Sequence, residues 1–64
     1  MNKVIRSKTT FKYGKIISFT DLCVIIDFYE SDEPIAVPFD TFLKLCDCDE
    51  EVRRHIESLK NINL

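Results

Sequence analysis

A chain of 64 residues and 7.5 kDa has room for one small domain, because a second hydrophobic core would not fit in it. Its 45% hydrophobic content with one Gly and two Pro excludes a disordered tail, and a single His with no glycine-rich loop removes most catalytic constellations. The formal net charge of −2 conceals a polarity: residues 1–20 carry five cations and no acid, residues 21–51 carry ten acids against Lys44, and the remainder is net positive.

In chain order, a first strand is expected somewhere between Lys3 and Phe11, ahead of a β-branched and aromatic run over residues 14–19. A second such run, Cys23 to Tyr29, follows after Thr20-Asp21-Leu22, so the two read as a hairpin. Within it Val24, Ile26 and Phe28 share one face by period two, and Ile25, Asp27 and Tyr29 the other. The polar cluster Glu30-Ser31-Asp32-Glu33-Pro34 predicts a turn, and Ile35-Ala36-Val37 a short strand with Ile35 and Val37 facing inward. Pro38 then changes the period. Phe39, Phe42, Leu43 and Cys46 fall at helical spacing, which predicts a short helix over 38–46. Asp47 with Glu50 reads as a capping box opening a second helix over 48–60, with Val52, Ile56 and Leu59 as its apolar stripe. The fold expected is mainly β with a C-terminal helical pair, an α+β single domain over 1–64 with its strands between residues 3 and 37. A chain this short buries only about 60% of its unfolded surface, so marginal stability is expected.

Three strings carry a resemblance: Phe11-Lys12-Tyr13-Gly14-Lys15-Ile16-Ile17, then Ile26-Asp27-Phe28, then Ile35-Ala36-Val37-Pro38-Phe39-Asp40-Thr41-Phe42. Together, over Thr9 to Leu45, they resemble the small SH3-like, Tudor-like barrel at the C-terminal end of bacterial superfamily-one DNA helicases. Gly14 matches that pattern's second glycine, Ile26 and Phe28 its Val-x-Phe pair, and Pro38 and Phe42 its closing Pro and Phe. Lys12 replaces the first glycine, Thr41 the usual Ala, and Ile35 and Val37 two aromatics. The resemblance implies an antiparallel SH3-like barrel and a non-catalytic role, with contact to RNA polymerase or nucleic acid in the helicase version.

Three sets of residues are candidates for contact. Phe11, Tyr13 and Tyr29 are placed at the rim of the barrel, where they either stack a ligand or shield the core. Glu30, Asp32 and Glu33 offer an acidic face to a protein. Lys3, Arg6, Lys8, Lys12 and Lys15 offer an alternative footprint for nucleic acid, or else lie beside their acidic neighbours. Cys46, Cys48 and His55, with or without Cys23, lack a Cys-x2-Cys knuckle, so no metal or other cofactor is expected. One His and no nucleophile elbow predict that the chain is not an enzyme. The odd cysteine count, the lack of a signal-like apolar run in residues 1–6 and of a membrane-length apolar stretch predict a cytoplasmic protein with no membrane partner. The leading expectation is a protein-interaction module or small regulator on a larger partner, one version being a phage or mobile-element inhibitor of a nucleic-acid enzyme. Nucleic-acid binding is the alternative, and a homodimer through exposed sheet edges a third reading.

Overall fold

Alternating apolar residues draw the first two thirds of the chain into strands. The computed structural model describes residues 3–62 and orders them as β1 (Val4–Ser7), β2 (Tyr13–Phe19), β3 (Cys23–Phe28) and β4 (Ile35–Pro38), then α1 (Phe39–Leu45), β5 (Cys46–Asp47) and α2 (Glu50–Ile62). The expected domain of residues 1–64 thus extends at both ends beyond the described residues. The five strands form one antiparallel sheet in the order β4-β3-β2-β1-β5, giving a small mixed α+β fold. No ladder joins β4 to β5 among the described residues, so the sheet is open where a barrel would close.

The inner face of the sheet and the two helices share one core. Ile5, Ile16, Val24 and Ile26 come from the strands, Phe39 and Phe42 from α1, Cys46 from β5, and Val52 and Ile56 from α2. Phe28, Val37 and Leu59 pack against its margin. A bulge in β2 keeps the phase: Ile16 pairs with Ile26 and Ser18 with Ile25, so Ile17 is an extra residue. Without it Ser18 would follow Gly14 and Ile16 inward; with it Phe19 reaches the core beside its partner Val24. Gly14 is buried where β2 crosses β3, and a Cβ there would lie 3.0 Å from the Phe28 backbone Cα. Close strand approach therefore demands glycine at this position.

Four expectations need correction. The short helix spans 39–45, because Pro38 pairs with Cys23 at the end of β4 and Cys46 turns extended to pair with Ser7. Asp47 does not cap α2: its backbone belongs to the β1 ladder opposite Arg6, and the first helical bond runs from the Arg53 N–H to the Asp49 carbonyl at 3.1 Å. Helix α2 therefore starts at Glu50 and continues to Ile62. Tyr29 lies just past β3 in a turn closed by the Ser31 N–H on the Phe28 carbonyl. Finally, Val37 is half-buried as expected but Ile35 is 46% exposed, because no strand lies over it in the open sheet.

Candidate functional site

The β1–β2 connection is organised by a residue that sequence reasoning passed over. Ser7 is buried, and its Oγ accepts hydrogen bonds from the backbone N–H groups of Thr9 and Thr10 at 3.3 and 3.2 Å. Its carbonyl accepts the Phe11 N–H and its own N–H donates to the Lys12 carbonyl, each at 2.9 Å. The Ser-x-Thr-Thr string of residues 7–10 was the available signal, since hydroxyl side chains fold back on nearby N–H groups in such turns. This tight loop forces Phe11 to φ 61°, in the left-handed region that bulky residues avoid.

Phe11 does not recover that strain by burial. It is 60% exposed, and Tyr13 and Tyr29 are exposed beside it. The three rings, with Thr10, Lys12 and Glu30, line a surface cleft of about 350 Å³. The structure thus brings together all three expected rim residues and leaves Phe11 outside the core rather than closing it. The Tyr29 N–H bonds the Tyr13 carbonyl at 3.1 Å, which ties the turn after β3 to the start of β2. Beneath the rings, the Arg6 guanidinium carbon stands 4.9 Å from the Phe11 centroid and 5.8 Å from that of Tyr13. Its Nε is buried without a hydrogen-bond partner among the described residues, so the cation is held mainly by ring faces.

Three of the four remaining basic residues of this set find carboxylates. Lys3 lies 3.0 Å from Glu51 and 3.6 Å from Asp49, and the bond to Glu51 holds its ammonium above the ordinary lysine value. Lys8 stands 3.7 Å from Asp47 and Lys12 3.4 Å from Glu30. Lys15 is exposed on β2 opposite Asp27. The charge polarity along the chain is therefore folded into neighbouring pairs rather than into one basic face. Of the acidic set, Glu30 is the partner of Lys12, while Asp32 and Glu33 are exposed in the turn before β4.

Across the Lys12–Glu30 bridge the surface continues into a second depression of about 330 Å³, floored by Phe28, Ile35, Val37, Leu45 and Cys46. This groove is the seam of the open sheet, and nothing in the composition signals it. Elsewhere, the His55 ring packs edge-on against Phe19 with centroids 4.6 Å apart. The three cysteines are free thiols; burial first of all pushes Cys46 and Cys48 above the ordinary thiol value, with Asp47 adding to it at both while Lys8 opposes it at Cys46 and Arg53 at Cys48. No group of three or more His, Cys, Asp or Glu among the described residues is arranged to hold a metal ion, and none of the described helices is long and apolar enough to cross a membrane.

No family model, curated protein or solved structure matches the chain. The likeness to the helicase barrel rests on the three strings alone.

Proposed function

We propose that this chain is a non-catalytic protein-interaction module that docks on a larger partner through the cleft of Phe11, Tyr13 and Tyr29. In this reading the sheet is an SH3-like barrel left open along one seam. The observation that carries the proposal is Phe11, exposed and strained at φ 61°. A left-handed bulky residue costs on the order of 1 kcal/mol that glycine would avoid, and such strain collects at ligand clamps. Aromatic residues with two side-chain torsions supply contact area at low entropic cost, which suits them as anchors. Asp32 and Glu33, close by in the chain, steer a basic partner toward the cleft.

Nucleic-acid binding is the weaker reading. Exposed tyrosines beside Arg6 could stack bases. However, Lys3, Lys8 and Lys12 already face carboxylates, and Glu30 lines the cleft itself, where it repels a phosphate.

The test is capture from an extract of the native cell on immobilised protein, with wild type beside a Phe11→Gly/Tyr29→Ala variant. A protein retained by the wild type and lost by the variant, with both melting cooperatively, is the expected result. Equal retention by both, or retention of nucleic acid that is lost steeply with salt, contradicts it.

A further inference from the structure

We infer that the free edge of β4, with the groove beside it, receives a short extended segment of another protein, which sets an apolar side chain over Ile35 and a basic one over Asp32 and Glu33. The inference rests on the interaction reading above and names the chemistry of the partner. The Phe39 N–H bonds the Leu22 carbonyl at 3.0 Å, extending the β3–β4 register by one pair and fixing its phase. The hydrogen-bonded pairs are then Val24 with Val37 and Ile26 with Ile35, so the backbone groups of Ala36 and Pro38 point away from the sheet. Pro38 has no N–H. Within β4 the edge thus displays the N–H and the carbonyl of Ala36, since Pro38 is the N-cap of α1 and its carbonyl accepts the first bond of that helix.

That pattern selects the occupant. A second copy paired antiparallel about Ala36 would satisfy the two Ala36 groups, but at the flanking positions Pro34 would face Pro38 and neither could donate. A foreign segment without proline makes the same Ala36 pair without setting two prolines opposite each other, and can bring a basic side chain to Asp32 and Glu33. Extended pairing of this kind draws affinity from main-chain bonds and specificity from pockets for alternate side chains. The groove supplies such a pocket on the Ile35 and Val37 side of the edge, with Phe28 and Leu45 beneath. At the N-terminal end of β4, Asp32 and Glu33 are exposed and have no ion-pair partner among the described residues, so their charge is available to a basic side chain. In an antiparallel arrangement the basic residue follows the apolar one by about two or three positions. The groove joins the aromatic cleft at Thr10 and Lys12, making the segment part of one continuous contact surface.

The probe is a displayed library of random heptapeptides panned on the wild-type protein, the best sequence then being synthesised and titrated. We expect an apolar-then-basic consensus without proline, and amide shifts at Ala36 and along β4 on binding. Ala36→Pro deletes the one outward donor without touching a β3 bond and should weaken binding at least tenfold. Ile35→Glu, at an exposed site, should do the same and carries the test if Ala36→Pro does not fold. Asp32→Lys/Glu33→Lys should abolish the preference for the basic residue. Selection of no peptide, an acidic or proline-rich consensus, or undiminished binding by Ile35→Glu overturns the inference. So does a wild-type dimer in sedimentation that Ala36→Pro dissolves. A peptide that shifts only Tyr13 and Tyr29 overturns it too but leaves the interaction reading standing, whereas loss of that reading is registered separately by the Phe11→Gly/Tyr29→Ala capture experiment.

Discussion

Phe11 inverts the usual ranking of substitutions. Alanine and glycine both remove the ring and its contact with Arg6, but only glycine tolerates φ 61° without strain. Phe11→Gly is therefore expected to be more stable than Phe11→Ala by about 1 kcal/mol, read as the difference between two urea midpoints at constant slope. The opposite order would mean that the loop relaxes once the ring is gone and that Phe11 stores no strain. Gly14 behaves in the contrary sense: a methyl group 3.0 Å from the Phe28 Cα meets backbone that cannot yield, so Gly14→Ala should cost about 1 to 3 kcal/mol. Two phenylalanines that look equivalent in the sequence also separate. Phe42 is completely buried and its truncation to Ala should cost about 3 to 5 kcal/mol, enough to unfold most of a domain this small. Phe28 lies half-buried at the margin of the core and floors the groove, so Phe28→Ala should cost distinctly less, and matching losses for the two would contradict the open seam.

At the scale of elements, β5 couples the thiols to stability. Cys46 and Cys48 are pushed above the ordinary thiol value of 9.0, first by burial, so the folded state holds their protons more tightly than the unfolded chain does. That contribution is complete below the ordinary value and is lost as pH rises through the raised folded values. Thermal melts of the wild type should accordingly fall as pH climbs above 9, and a Cys46→Ala/Cys48→Ala protein, though less stable at neutral pH, should fall less steeply. Parallel declines would remove the thiols as the cause. The element β5 is also where the sequence was least legible. Cys46 completes a helical stripe and Asp47 mimics a cap, and only the long-range pairing with Arg6 and Ser7 makes them a strand. The bulge at Ile17 was hidden for a related reason, since one inserted residue leaves no compositional mark. By contrast, Val24 with Ile26, Phe39 with Phe42, and Val52 with Ile56 were readable because each repeats at the period of its own element and is buried where that period places it. The aromatic cleft was readable too, since Tyr13 opens the β2–β3 hairpin, Tyr29 follows it and Phe11 lies two residues ahead of Tyr13. The groove was not, because it arises from a ladder that does not form.

For the whole molecule, the decisive feature is how charge is distributed after folding. The basic start and the acidic middle meet in exposed pairs, Lys3 with Glu51, Lys8 with Asp47 and Lys12 with Glu30. Exposed pairs of this kind contribute little, so raising salt to 1 M should leave stability within about 1 kcal/mol of its low-salt value, and a large loss would mark the pairs as structural. The same pairing leaves Asp32 and Glu33 as available charge near the cleft. Reversing these two should slow association with the partner several-fold, because charge of this kind acts strongly on encounter. An unchanged association rate would contradict a role for them in steering. The central claim, that the partner sits on the Phe11–Tyr13–Tyr29 cleft, is tested most directly by light-activated crosslinking in the native cell. Benzoylphenylalanine is placed at Tyr29 in one protein and at Arg54, an exposed position of α2, in another. The account predicts one discrete protein adduct from position 29 and none from position 54, while adducts from both alike, or from position 54 alone, would contradict it.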